Sequence, residues 1–152
     1  MSQTVKLLHD LIALPSINTA FLSKNNPLAG EERITDYIIG RANKAKLDTE
    51  KQQTECGRSN LIIKLTPKGK IKHRIILGPH LDTVGIDNTA MLNPKKRGNK
   101  IYGRGACDTK GSVAVMLNSI EKLSKHRERP SNTEIVFIGF VDEECNQTGS
   151  RA

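Results

Sequence analysis

Seven consecutive residues, Ile135 to Val141, carry no polar side chain, and a chain has few ways to place such a run. It is far shorter than the roughly 18 residues that mark a membrane span. A strand over Thr133 to Val141, apolar on both faces and covered on each side by helices, satisfies it. A second β-branched run, Arg74 to Leu77, reads the same way, and Asn60 to Leu65 forms a further strand. A short strand over Lys100 to Gly103 follows. Helices supply the cover. Val5, Leu8, Leu11 and Ile12 recur at helical spacing within Thr4 to Leu14. Ile34, Tyr37, Ile38, Arg41, Ala42 and Ala45 mark a second helix, with Glu31 and Glu32 in its first turn, where the dipole favours negative charge. Val113, Met116, Leu117, Ile120 and Leu123 mark a third. At 152 residues the chain is one domain's worth. The expectation is an α/β three-layer sandwich whose mixed, mostly parallel sheet lies between helices.

Composition narrows the class. Hydrophobic residues make up 36%, enough with glycine for an ordinary core, so the chain is not wholly disordered. Lys6, His9 and Asp10 interrupt the first apolar stretch, which argues against a secretory signal and for a cytoplasmic protein. Cys56, Cys107 and Cys145 are odd in number and lack CxxC spacing, so they are read as reduced thiols, with Cys107 and Cys145 as small buried hydrophobes. The net charge is +8, with clusters at Lys95, Lys96, Arg97 and at Lys125, His126, Arg127, Arg129. Nucleic acid is the obvious anionic partner for such charge. Yet only five aromatics are present and the clusters are scattered, so a solvated surface is the better reading.

The chemistry sits in three places. His80 and Asp82 follow the strand ending at Leu77; Asp108 lies between the strand near Ile101 and the third helix; Asp142, Glu143 and Glu144 follow Val141. Ligands of open α/β sheets bind beyond the carboxyl ends of strands, where parallel strands would bring all three clusters together. Crowded carboxylates need a cation, and an imidazole among them favours zinc, cobalt or manganese over magnesium or calcium. Residues two apart in an extended segment share a face, so Asp82 can accept a hydrogen bond from the second ring nitrogen of His80. Glu143 and Glu144, being adjacent, would face opposite ways, one ligating and one moving a proton; the residues alone leave open which does which. Each piece also has a plain reading: a turn, a charged loop, or Asp108 as the cap of the third helix. His9, His73 and His126 read as structural or exposed. Gly103 and Gly105 suggest a nucleotide loop, but Asp108 stands where its third glycine should be.

GPHLDTVG (Gly78 to Gly85), YGRGACDTKGSVAVML (Tyr102 to Leu117) and DEECNQTGS (Asp142 to Ser150), with LPSIN and GRSNLI before them, resemble the ordered N-terminal motifs of the dizinc amidohydrolase and peptidase family. That family contains acetylornithine deacetylase, succinyl-diaminopimelate desuccinylase, aminoacylase and glutamate carboxypeptidase. The resemblance implies two zinc ions, with His80 on one, Glu144 on the other and Asp108 bridging both. It also implies that Asp82 orients His80, that Glu143 is the general base, and that the Asp108–Thr109 peptide is cis. The reaction implied is hydrolysis of an amide in a small N-acyl amino acid or peptide. Family chains run on to further zinc ligands and a dimerisation domain. The chain is therefore expected to be the N-terminal part of a catalytic domain, inactive alone, from a protein that forms homodimers when whole. Two rival readings are a non-catalytic partner of a split enzyme and a basic nucleic-acid-binding module.

Overall fold

The computed structural model describes every residue except Cys56, Glu128 and Pro130; the reading of Cys56 as a reduced thiol lies outside the described residues. Three helices form where the apolar periodicity places them: α1 (Gln3–Ala13), α2 (Glu32–Lys44) and α3 (Lys110–Lys125). The main sheet contains β1 (Asp48–Gln53), β2 (Ser59–Leu65), β3 (His73–Leu77) and β6 (Thr133–Gly139). A separate hairpin joins β4 (Lys95–Arg97) to β5 (Lys100–Tyr102). Among the described residues no helix is long and apolar enough to cross a membrane.

The sheet order is β1-β2-β6-β3. It is mixed, as expected, but only β3 and β6 run parallel; β1–β2 and β2–β6 are antiparallel. β6 lies between β2 and β3, so both its edges are paired. β3 forms an edge of the four-stranded sheet, with Ile75 50% and Ile76 58% exposed. Its apolar run misled because hydrophobicity marks a surface that can be covered without showing that anything covers it.

The helices of the described residues pack on one face of this sheet. Leu61, Ile63, Leu65, Ile135 and Phe137 share one face through the β2–β6 register. They pack with Leu7 and Leu11 of α1, Ile34 and Ile38 of α2, and Val113, Leu117 and Ile120 of α3 in a single core. All three helices thus cover the same face among the described residues. The other face carries cross-strand ion pairs, Lys64 with Glu50 at 2.8 Å and Arg74 with Glu134 at 2.6 Å.

Polar ties fix the helix layer. Arg41 grips Glu121 through two bonds of 2.8 and 2.6 Å, joining α2 to α3. Tyr37 donates to Asp10 at 2.8 Å, joining α2 to α1. The deepest tie is Lys110, whose side chain is among the largest fully buried ones. Its ammonium donates to the carbonyls of Leu11 at 2.9 Å and Leu14 at 2.7 Å, at the C-terminal end of α1. Helix ends leave carbonyls unpaired and carry partial negative charge. α1 has no basic residue of its own in its last turn, and Lys110 supplies one from α3. Burial pulls the pKa of this lysine down to about 7, whereas the two carbonyls favour keeping its proton.

Replacing Lys110 by Met would keep the apolar stem, remove the ammonium donor from both carbonyls and leave Leu11 O only the Leu14 N–H at 3.2 Å. We expect a loss of about 2 kcal/mol, or roughly 4–8 °C in Tm. An unchanged melting curve would show that relief of the buried charge cancels the lost bonds.

Candidate metal centre

The pairing of β3 with β6 continues past the ends of both strands, and this positions the site. Phe140 N–H donates to Pro79 O at 2.9 Å and Leu81 N–H to Phe140 O at 2.8 Å. On the other side Thr83 N–H donates to Ser16 O and Asn18 N–H to Thr83 O, both at 2.9 Å. The GPHLDT segment therefore runs as an extended ribbon between residues 140–142 and 16–18. Gly78 fits closely beside it: a Cβ there would stand 2.9 Å from the Phe140 ring, which would have to shift.

His80, Asp108 and Glu144 come together at the rim: one ligand atom from each lies within 4.8 Å of the other two. His80 Nε2 is 2.9 Å from Asp108 Oδ1 and 3.7 Å from Glu143 Oε2. The imidazole is 10% exposed and Asp108 73%, so one candidate ligand is fixed in the protein and another reaches into solvent. A cavity of about 400 Å³ opens there, lined by His80, Asp108, Ser112, Phe140 and Glu143 among others. Burial raises the pKa of Glu144, and the negative charge of Asp108 raises it further. One nitrogen and two carboxylates, carrying more negative charge than their neighbours offset, form a donor set suited to a divalent cation such as zinc.

Asp82 is buried behind the rim. Its Oδ2 accepts from Asn18 Nδ2 at 2.7 Å and Glu144 N–H at 3.0 Å, and its Oδ1 accepts from Glu143 N–H at 3.1 Å. His80 Nδ1 lies 3.1 Å from the Asp82 carbonyl and 3.4 Å from Oδ1, which leaves Nε2 facing Asp108. Burial alone would raise the pKa of Asp82, but the hydrogen bonds from His80, Asn18 and the two glutamate amides bring it below the usual value. For His80, burial works downward and is outweighed by Asp82 and Asp108, which raise it to about 9.

A second polar layer lies deeper. Asn18 Nδ2 also donates to Asp142 Oδ1 at 2.9 Å. Arg58 pairs with Asp142 at 2.6 Å and with Glu31 at 2.9 Å. Burial would raise the pKa of Asp142, yet Asn18, Thr148 and Arg58 hold it at about 2. Asn60 accepts from Val141 N–H at 3.1 Å and donates to Gly149 O at 2.8 Å. A Cβ at Gly149 would meet Val141 O at 2.4 Å, so that glycine lets the last motif fold back on itself.

Sequence reasoning named the rim and missed what holds it. Asn18, Arg58 and Asn60 carried no role, because a buried amide or guanidinium has no spacing signature of its own. Glu31, read as favouring a helix dipole, is the N-terminal residue flanking α2 and turns inward to Arg58. Asp108 is not a helix cap: Thr109 holds that place, and the strand before it, β5, lies outside the main sheet. Asp108 reaches the rim because Lys110 anchors the start of α3. Gly105, at φ +77, is close-packed between Lys110 and Thr83, each 3.0 Å from a Cβ at that position. The Asp108–Thr109 peptide is cis. Cys107 and Cys145 are exposed and free, not buried as expected: each follows the outward course of the ligand beside it.

Residues 76–152 match the sequence profile of peptidase family M20/M25/M40. An acetylornithine deacetylase of Dictyostelium discoideum is 34% identical over 129 residues, covering 76% of this chain and 28% of that protein. A succinyl-diaminopimelate desuccinylase of Nitrosospira multiformis is 28% identical over 145 residues, 91% of this chain and 36% of its own. Among solved structures, an aminopeptidase of Bacillus cereus superposes with a TM-score of 0.75 at 21% identity, covering 99% of this chain and 39% of that one. The chain spans about a third of the length of the curated relatives it matches.

The carboxylate of Asp142 has a testable acid signature. Its pKa falls from the ordinary 3.8 to about 2, so its contribution to stability is present above pH 4 and is lost as pH drops through 2. Asp142→Asn should lower stability at pH 7 by about 3 kcal/mol, since it leaves Arg58 short of a buried partner. It should also flatten the decline in Tm between pH 4 and pH 2; parallel acid profiles for the two proteins would refute the assignment.

Proposed function

The chain belongs to peptidase family M20/M25/M40, and from that premise we propose that it carries the rim of a divalent-metal site for amide hydrolysis. His80, Asp108 and Glu144 would hold the ion, with Asp82 orienting His80 and Glu143 moving the proton. The convergence of those three ligand groups from separate parts of the chain supports this most directly. Zinc is the metal best matched to the donor set. Cobalt and manganese share its preferences. Bound there, the ion would polarise a substrate carbonyl and acidify a water molecule.

The side chains supply the rest. Glu143 borders the cavity, is 44% exposed, and its Oε2 lies 3.7 Å from His80 Nε2. It would take a proton from the attacking water as the bond to the carbonyl carbon forms, then return it to the amine as the carbon–nitrogen bond breaks. Asp82 holds the amides of both Glu143 and Glu144 and so fixes the base relative to the ligand. An N-acyl amino acid or a small peptide is the proposed substrate class. It is in keeping with the deacetylase, desuccinylase and carboxypeptidase names among the relatives.

Ligand count sets what the described residues do unaided. A catalytic zinc commonly has three protein ligands and a water, and His80, Asp108 and Glu144 suffice for one such ion. A pair sharing Asp108 would leave each ion with two protein ligands, so further donors must complete a dinuclear centre. The 152-residue chain is accordingly proposed to bind metal and to turn over little or nothing alone.

Calorimetric titration with Zn²⁺ or Co²⁺ tests this. One ion per chain is expected, with affinity reduced about 10- to 100-fold or more in His80→Ala and nearly unchanged in Glu143→Gln. In a version of the protein that hydrolyses N-acyl amino acids, Glu143→Gln should cut kcat about 10²- to 10⁴-fold with metal content intact. Absence of metal binding at micromolar concentration would overturn the site, and activity surviving in Glu143→Gln would overturn the base.

A further inference from the structure

The far end of α3 carries a second concentration of charge. Lys122 and Lys125 lie in the last turn, and His126, Arg127 and Arg129 follow. The connection between β2 and β3, residues 66–72, brings Lys68, Lys70 and Lys72 to the same end. Backbone bonds lace the two connections together: Gly69 N–H donates to Ser131 O at 2.9 Å, and Lys72 and His73 N–H donate to Asn132 O at 2.8 and 3.2 Å. A Cβ at Gly69 would stand 2.7 Å from Ser131 O, so the close approach depends on glycine.

A cavity of about 540 Å³ lies between the connections, lined by Lys68, Lys125, Arg127, Arg129 and the hydroxyl-bearing Ser124 and Ser131, with His126 beside them. No acidic side chain lines it among the described residues, and Lys68, Lys125, Arg127 and Arg129 take part in none of their salt bridges. A helix C-terminus bears only about half a negative charge. That explains Lys122 and Lys125, but not Lys68 or Arg129, which come from outside the helix.

We propose that this cavity is a binding site for a small molecule carrying an oligophosphate group. Its volume falls within the roughly 300–1,000 Å³ of small-ligand sites. Guanidinium and ammonium groups with the Ser131 hydroxyl match the charge and hydrogen-bonding needs of phosphate oxygens, while the Ser124 hydroxyl donates to Glu121 O at 2.9 Å. No Phe, Tyr or Trp lines it, so the large stacking platforms of strand-binding grooves are missing from its described lining, and this favours a compact phosphate ligand over a nucleic-acid strand. The cavity lies about one length of α3, roughly 24 Å, from the metal ligands and binds without them.

Calorimetry of the whole chain with sodium tripolyphosphate at low salt, together with amide chemical-shift mapping, provides the test. One site per chain is expected, with shifts at Gly69, Lys125 and Ser131. Lys68→Gln with Arg129→Gln should weaken binding about tenfold or more through the loss of two charge-assisted contacts. Lys95→Gln with Lys96→Gln removes the same charge elsewhere and should leave affinity unchanged. If the first double variant does not fold, Lys68→Gln alone and the shift map on the unaltered chain decide. No binding at about 1 mM, or equal weakening by both double variants, would overturn the site. So would a single-stranded oligonucleotide that binds more tightly through the same residues.

Discussion

One buried carboxylate organises the rim. Asp82 accepts from Asn18 and from the amides of Glu143 and Glu144, and faces Nδ1 of His80. A buried anion is costly unless donors surround it, and here those donors belong to three distant parts of the chain. The cost of leaving Asp82 unsatisfied is therefore also the force that brings the parts together. Asn18 bonds to both Asp82 and Asp142, so the rim and the deeper Arg58–Asp142–Glu31 cluster form one connected network. Such networks are strong when complete and weak when any member is missing.

A buried cation completes the arrangement from the helix side. Asp108 lies on an irregular segment between β5 and α3, and its side chain is 73% exposed. Lys110, two residues on, is anchored at the end of α1, and its N–H donates to Gly105 O at 2.8 Å. The placement of Asp108 is thus inherited from a helix-end interaction in the core. A side chain that is mostly exposed can still be well positioned when its neighbours are not free to move.

What could be read from the sequence follows from which forces leave periodic traces. The helices and strands β2, β3 and β6 were legible because apolar spacing encodes burial. β1, with the sequence DTEKQQ, was not: an edge strand held by backbone bonds to β2 needs no apolar residues. The depth of β3 was misjudged because a run of isoleucines looks the same whether a layer covers it or not. His80, Asp108 and the run Asp142 to Glu144 could be picked out as residue types placed at strand and helix ends, and only the family resemblance favoured Glu144 over Glu143 as a ligand. Arg58, Asn60 and Lys110 could not, since their partners are backbone atoms or carboxylates many residues away. Composition alone argued the charge clusters down to solvated surface; joining Lys68 with Arg129 required knowing that Gly69 touches Ser131.

The two ends of α3 show why a helix by itself decides neither site. A carboxylate near the N-terminal end and lysines near the C-terminal end are what the macrodipole favours on any exposed helix, so Asp108 and Lys125 taken singly have a sufficient structural reason. The asymmetry lies in what joins them. At the first end, His80 and Glu144 arrive from the sheet and bring donor types that the dipole does not require. At the other end, Lys68 arrives from the β2–β3 connection and adds repulsion that the dipole is too weak to offset. Folding has gathered like charges at both ends at an electrostatic cost. The two proposals share this logic: a metal ion at the first end and an anion at the second would each relieve that cost.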